Sequence, residues 1–407
     1  MNPTVNILIG DCREKLRELP ENSIHCVVTS PPYWALRSYL PDGDPAKQLE
    51  IGSEETIHEF LKVMRAVFQE IYRVLRPDGT CWVNFGDTYR NKSLMGIPWQ
   101  VALMLSGQSI ESANMSRCPK CQDSRHRVFV PKTAASYLDW EYICERCEYQ
   151  ANSKEWDKTP WFLRSEIIWH KPNPVPEPDR GRPTVAHETV FLLTKSERYF
   201  YDNDAIREPV GDEPDWEEYR SGLGSNTGCD TLRWSAGYKK CSHNLIHPNG
   251  RQKRSVWTIP TKGFKGSHYA TFPPALVEPC ILAGTSEKGC CVACGAPRKR
   301  VSEITPEYQE KLGKSWHNHE ADRMVGQRGV PSAFRGAPAR ITTGWEATCP
   351  CGAEFIPCTV LDPFGGSGTT GEVALKYGRS SILIDLDERN REFMEQRTAQ
   401  LRLGFTS

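Results

Sequence analysis

No stretch of this 407-residue chain approaches the roughly twenty apolar residues that a membrane-spanning helix needs, so no membrane partner is expected. The segment Met1 to Asp11 lacks both a charged n-region and a long apolar run; no export signal is expected, and the expected compartment is the cytoplasm. Net charge is lacking as well, because 51 basic side chains offset 51 acidic ones. That balance excludes binding a polyanion through bulk charge and leaves only local charge for a phosphate-rich partner. Internal repeats are missing apart from two cysteine-rich segments. Without an export signal, the sixteen cysteines are not expected to form a disulfide scaffold.

What is present begins with those cysteines. Cys118-x-x-Cys121 and Cys144-x-x-Cys147 are separated by twenty-two residues, the spacing of two thiolate knuckles that share one zinc. A second set, Cys291-x-x-Cys294 with Cys349-x-Cys351, spans fifty-four intervening residues. Cys290 could replace Cys291 in that set, and His317 or His319 could enter it. Four thiolates leave no open coordination position, so any zinc here is expected to be structural. Cys26, Cys81 and Cys280 sit in apolar runs and read as core.

The N-terminal third alternates strand and helix. Val5–Ile9 and His25–Thr29 read as strands, and Cys12–Leu19 has helical spacing. Ile57 to Leu75 reads as an amphipathic helix stopped by the turn residues Arg76-Pro77-Asp78-Gly79, after which Cys81–Phe85 is a third strand. The pattern breaks near Gly107, resumes in strands at Ser165–Trp169 and Thr189–Leu193, and returns strongly after residue 358. The expected fold is a doubly wound, mostly parallel α/β sheet interrupted by insertions. Catalytic-domain parts fall at 1–106, 161–206, 257–289 and 358–407. A zinc-ribbon insert is expected at 107–160, a separate segment without clear periodicity at 207–256 and a second Cys-rich insert at 290–357.

Near the C-terminus, strand Thr359–Leu361 runs into Asp362-Pro-Phe-Gly-Gly-Ser-Gly-Thr-Thr370. A helix is expected from about Gly371 to Tyr377, and strand Ser381–Ile384 ends at Asp385. Glycines allow a sharp turn and close backbone approach to a ligand. An acid at the tip of the next strand can accept both hydroxyls of a ribose. Asp385 lies twenty residues after Gly365, a spacing typical of such units. Gly366, Gly368 and Gly371 also satisfy G-x-G-x-x-G, so an NAD-dependent oxidoreductase is an alternative; a triphosphate loop is disfavoured because no Lys follows the glycines.

The strand His25–Thr29 delivers Ser30-Pro31-Pro32-Tyr33-Trp34 to its C-terminal tip, where open α/β sheets bind ligands. An exocyclic amino group of a base is a poor nucleophile because its lone pair is delocalised into the ring. The Ser30 hydroxyl and the Pro31 carbonyl could accept its two N–H bonds and localise that pair. The prolines fix the carbonyl's direction and bring no competing N–H. Tyr33 could stack on a base rotated out of a duplex. A rigid Pro-rich turn with packed aromatics is the alternative for this loop taken alone.

Taken together, Thr29-Ser-Pro-Pro-Tyr-Trp34 and Asp362–Thr370 resemble the catalytic and cofactor motifs of the DNA amino-methyltransferases. The catalytic motif precedes the cofactor motif, as in the permuted order of that family's β group. Asn6–Asp11, Arg73–Thr80, Ile167–Pro174 and Phe272–Leu276 resemble further segments of the same family. The resemblance implies S-adenosylmethionine as methyl donor. Phe364, Gly365, Gly366, Gly368 and Thr369 would lie on its methionine side, with Asp385 on the ribose and Asp11 on the adenosine side. It implies Ser30, Pro31, Pro32 and Tyr33 as the catalytic loop and double-stranded DNA as partner. It also allows for a cognate restriction endonuclease. Ser at the first motif position is more usual for N4 of cytosine, and Asp for N6 of adenine. Carbon-five methylation is disfavoured because no Pro-Cys nucleophile follows a matching strand.

By that resemblance residues 207–256 occupy the family's target-recognition position, where a run without Asp or Glu, Thr231 to Val277, begins. Arg233, Lys239, Lys240, Arg251, Lys253 and Arg254 would face phosphates there. A non-catalytic zinc-ribbon DNA-binding protein is the further alternative, resting on the cysteines.

Overall fold

The computed structural model describes residues 2–36, 38–108, 126–129, 141–148, 150–152, 161–208, 251–261, 272–306 and 340–402. The expectations for Cys118, Cys121, Arg233, Lys239, Lys240, His317 and His319 lie outside the described residues. In chain order the main-sheet strands are β1 (Val5–Ile9), β2 (Ile24–Thr29), β3 (Leu75–Phe85) and β4 (Phe162–His170), followed by β5 (His187–Thr194), β6 (Val256–Thr258), β7 (Thr359–Asp362) and β8 (Ser380–Asp385). In space they run β1-β8-β7-β2-β3-β5-β4-β6. The first five are mutually parallel, and β5 is antiparallel to β3 and β4. This is the doubly wound, mostly parallel sheet expected from the alternation.

Among the described residues the α-helices are α1 (Cys12–Arg17), α2 (Ile57–Val74), α3 (Ile97–Leu105), α4 (Pro274–Gly284), α5 (Thr369–Lys376) and α6 (Asn390–Arg402). Every residue of β2 is buried, as a parallel strand covered on both faces must be. Its side chains alternate between two cores. Val27 joins the cluster formed with α1, α2 and α3, which includes Leu16, Met64, Phe68 and Val101. Cys26, one residue earlier, faces α4, where its sulfur lies against the Cys280 carbonyl. Cys26, Cys81 and Cys280 are buried, as expected of core residues. At the end of α4, a Cβ on Gly284 would lie 2.3 Å from Thr80 Oγ1 and 2.8 Å from Cys26 Sγ, so only glycine lets the helix sit this close to the sheet.

The periodicity of α2 is realised in full. Phe60, Leu61, Met64, Val67, Phe68, Ile71 and Val74 are buried on one face, each worth about 1.5–3 kcal/mol against exposure. Thr56 starts the helix in a capping box: its hydroxyl accepts from Glu59 N at 3.2 Å while the Glu59 carboxylate accepts from Thr56 N at 3.1 Å. The helix does not end in a free turn. Arg76-Pro77-Asp78-Gly79 belong to β3, which starts at Leu75. Ile24 pairs with Leu75, yet Cys26 pairs with Thr80. Two steps along β2 therefore match five along β3, and the turn-forming residues are absorbed as a bulge at the sheet's N-terminal end.

Two compact units divide the chain: Met1–Asp202 with Arg254–Arg298 and Ala347–Ser407, and Asn203–Lys253 with Lys299–Glu346. The first holds the sheet. The second contains most of the antiparallel pair Arg298–Ile304 and Arg340–Ala347. Also in the second, Glu208 and Arg251 bridge through backbone and through a 2.9 Å ion pair. A three-stranded antiparallel sheet, His126–Phe129, Glu141–Cys144 and Gln150–Asn152, lies within the expected ribbon insert. Among the described residues no helix is long and apolar enough to cross a membrane.

Candidate active site

The parallel strands all end at one edge, and their tips bring together segments far apart in sequence. β7 pairs with β2, which sets Asp362 beside Thr29. The Thr29 hydroxyl donates to Asp362 Oδ1 at 2.7 Å, the Thr370 hydroxyl to Oδ2 at 2.7 Å, and Phe364 N to Oδ1 at 3.1 Å. One buried carboxylate thus joins the strand before Ser30, the glycine loop and the start of α5. Burial pushes its pKa up to about 6, against the lowering effect of those three donors.

The glycine loop is tightly tied on its inner side. Gly365 N donates to Ile384 O at 2.7 Å, and Gly366 N donates to Asp385 Oδ2 at 2.7 Å. Asp385 Oδ1 accepts from Asp387 N and from Asn390 Nδ2, both at 2.9 Å. Gly368 has φ +81°, and a Cβ there would stand 2.9 Å from the Met394 backbone. At Gly366, φ +50°, a Cβ would meet nothing nearer than Phe364 O at 3.9 Å. The loop is closed by protein at Gly368 and open at Gly366, which is the cradle a close-lying ligand needs. Thr369 is buried, its hydroxyl accepting from Arg397 Nη1 at 2.7 Å.

Asp11 follows the adjoining tip, where Ile9 pairs with Asp385 and Gly10 N donates to Asp385 O at 2.8 Å. Its carboxylate caps α1 through Arg13 N at 2.8 Å and is also gripped by the Arg13 guanidinium at 2.9 Å. Asp11, Asp385, the glycine loop and Ser30 therefore share one edge of the sheet, as the motif reading requires.

The Ser30–Trp34 loop is rigid. Trp34 is buried and donates from Nε1 to Glu54 O at 2.9 Å. Ala35 takes a left-handed φ of 53° while its N–H donates to Gly52 O at 2.8 Å, a conformation that costs an alanine roughly 1–2 kcal/mol. The Tyr33 ring packs so close to Gly86 that a Cβ there would lie 2.5 Å from Cε2. Its hydroxyl donates to Glu188 Oε2 at 2.8 Å and accepts from Asn84 Nδ2 at 3.0 Å. With that proton committed to Glu188, Ser30 is the donor in the 3.3 Å contact between Ser30 Oγ and Tyr33 Oη. Burial, then the Glu188 charge, pushes the Tyr33 phenol well up, so it stays protonated. Glu188 also takes Asn84 Nδ2 at 2.7 Å and an ion pair from Lys171, whose ammonium sits 4.6 Å from the centre of the Trp169 ring. Among the described residues, Asn84 Oδ1 is buried without a hydrogen-bond partner.

Sequence reading missed Asn84, Glu188 and Lys171, and gave Asp362 no role. The available signals were a lone amide in the buried strand Cys81–Phe85 and an acid heading Thr189–Leu193. Neither names a partner without the antiparallel pairing of β5 to β3, in which Val190 faces Asn84. Of the basic residues expected at DNA, Arg251 is engaged by Glu208, while Lys253 and Arg254 border β6.

The sulfur atoms of Cys291, Cys294, Cys349 and Cys351 all lie within 4.8 Å of one another. Cys144 is buried and Cys147 half-buried; Glu148 N donates to Cys144 O at 2.9 Å across that knuckle.

A family model described as DNA methylase, covering N6 and N4 methylation, matches residues 24–292 and 358–396. The chain is 35% identical over 276 residues to the type II methyltransferase M.Cfr9I of Citrobacter freundii, covering 68% of this chain and 71% of that one. It is 31% identical to the type II methyltransferase M.SmaI of Serratia marcescens over 97% of this chain and 91% of the relative. Among solved structures, the cytosine-N4-specific PvuII DNA methyltransferase superposes with a TM-score of 0.49 at 16% identity, covering 98% of this chain and 93% of that one. With its two motifs meeting at one sheet edge and the family model spanning most of its length, the chain belongs to the N6/N4 DNA methylase family.

Proposed function

We propose that this DNA methylase uses S-adenosylmethionine to methylate N4 of cytosine. The observation that carries the reading is the Thr29–Asp362 bond, which holds the Ser30 loop against the glycine loop. S-adenosylmethionine supplies an electrophilic methyl group on a sulfonium. Phe364, Gly365, Gly366 and Gly368 would hold its methionine side, the open backbone at Gly366 giving room for close approach. Thr369 anchors that loop to Arg397. Asp385 and Asp11, fixed by Asn390 and Arg13, stand at the strand tips where the ribose and the adenosine side of the cofactor would lie.

On the acceptor side, Ser30 directs its own proton to Tyr33 and keeps a lone pair for the target amino group. The Pro31 carbonyl takes the second N–H, and Pro32 stiffens its direction. Hydrogen bonds that draw both N–H groups out of the ring plane localise the lone pair on nitrogen as it rehybridises, so these bonds strengthen towards the transition state. Tyr33 presents its ring to the flipped base while Glu188 and Asn84 hold its hydroxyl. Asn84 Oδ1, buried and unpaired, is suited to accept a hydrogen bond from the substrate, since such atoms in a site are seldom left idle. Ser30 in the position where N6-adenine enzymes of the family more usually carry Asp supports cytosine as the base. Arg251, Lys253 and Arg254, with Arg233, Lys239 and Lys240, are assigned to phosphate contact on double-stranded DNA. The type II names of the relatives support a protective role beside a cognate restriction endonuclease.

The deciding experiment is nucleoside analysis of DNA from cells that express the protein. N4-methylcytosine is expected as the new nucleoside. N6-methyladenine would overturn the choice of base while leaving the amino-directed chemistry, and 5-methylcytosine would overturn the mechanism itself.

A further inference from the structure

We propose that Cys291, Cys294, Cys349 and Cys351 bind one zinc ion that is purely structural and joins the Cys291–Cys294 and Cys349–Cys351 segments at the base of the sheet. The four sulfurs already lie within 4.8 Å of one another. Tetrahedral zinc with sulfur at about 2.3 Å needs sulfur–sulfur separations of about 3.8 Å, so only a small closure is required. Both segments have metal-knuckle backbones. In the first, Gly295 N donates to Cys291 O at 2.7 Å and Gly295 takes φ +72°; in the second, Gly352 takes φ +62° after Cys351. The strand Cys290–Cys291 pairs with Phe355–Ile356, which brings the two segments together.

The choice between Cys290 and Cys291 follows from strand alternation, because neighbouring residues point to opposite sides. The Cys290 thiol groups instead with His25 and Cys358. His25 has no ring nitrogen to spare for a metal: Nδ1 accepts from Thr359 N at 3.1 Å and Nε2 donates to Gly295 O at 2.9 Å. That second bond also docks the knuckle onto the sheet. Arg76 adds another, Nη1 donating to Cys294 O at 2.7 Å. His25 and Arg76 lie at the N-terminal ends of β2 and β3, whereas Ser30 follows the C-terminal end of β2. Five residue steps separate His25 from Ser30, about 16 Å at roughly 3.3 Å per step. A site filled by four thiolates at that distance has neither an open position nor access to the reacting base.

Cys294 and Cys351 are exposed, which makes the test direct. The full-length protein, purified without chelator, is treated with iodoacetamide and mapped by peptide mass spectrometry, and its metal content is measured alongside. Cys294 and Cys351 should resist alkylation by about tenfold or more relative to the same thiols after chelation or denaturation. The variant Cys294→Ser/Cys351→Ser should carry one zinc per chain fewer than wild type, whatever zinc the other Cys-x-x-Cys pairs hold. Should that variant fail to fold, the wild-type alkylation and chelation experiment still decides. Rapid alkylation of both cysteines in untreated protein, an unchanged zinc count in the folded variant, or iron in place of zinc would each overturn the assignment. These readouts do not involve methyl transfer, so they stand or fall separately from the proposed reaction.

Discussion

Replacing Asp362 with asparagine tests the role given to the carboxylate at the junction of the two motifs. The side chain is 1% exposed and accepts from Thr29, Thr370 and Phe364 N. Its pKa in the fold is about 6, against 3.8 for the unperturbed group. Because the folded value lies above the unfolded one, the fold favours the protonated form. The stability it contributes is fully present below pH 3.8 and is lost as pH rises through about 6. A shift of this size corresponds to about 3 kcal/mol at 1.36 kcal/mol per pH unit. Asparagine has the same shape. Its carbonyl can keep Thr29 and Phe364 N, and its amide can donate to Thr370, whose hydroxyl then turns to the Val28 carbonyl 3.3 Å away. The variant should therefore match wild type near pH 4 and exceed it by about 1–3 kcal/mol above pH 6. The assay is urea unfolding followed by tryptophan fluorescence across pH 4–7.5, read as the variant-minus-parent difference so that other titrations cancel. A difference that does not change with pH, or a variant that loses ground as pH rises, would refute the account of this carboxylate.

Tyr33→Ala should weaken binding of target DNA by about 1–3 kcal/mol through lost base stacking, measured by fluorescence anisotropy with calorimetric titration of S-adenosylmethionine unchanged. Tyr33→Phe should retain the stacking and cost only about 1 kcal/mol of fold stability, from the bonds to Glu188 and Asn84; equal DNA-binding losses in the two variants would contradict the ring's role. Gly368→Ala places a side chain at φ +81° against the Met394 backbone. It should cost at least about 1–2 kcal/mol from backbone conformation alone and weaken cofactor binding; a stable variant with unchanged affinity would mean the loop relaxes freely.

The local elements and their order are encoded in short stretches of consecutive residues. The 3.6-residue apolar spacing from Phe60 to Val74, with Thr56 and Glu59 at its start, specifies α2 because both the buried face and the cap are encoded within one segment. The apolar runs ending at Ser30 and Asp362 specify strand tips, because proline and glycine forbid the sheet to continue in a regular way. Those two motifs were legible because each carries its chemistry in consecutive residues. The tertiary structure decided everything that depends on pairing. Arg76–Gly79 carries turn chemistry, yet the pairing of β2 with β3 pulls it into a bulge. Glu188 reaches Tyr33 and Asn84 only because β5 runs antiparallel beside β3. Cys291 rather than Cys290 joins the thiol cluster because a strand residue's face is fixed by register, which composition does not encode. The fifty-four residues between Cys294 and Cys349 set only an upper limit on their separation; the pairing of Cys290–Cys291 with Phe355–Ile356 is what closes that distance to metal-binding range.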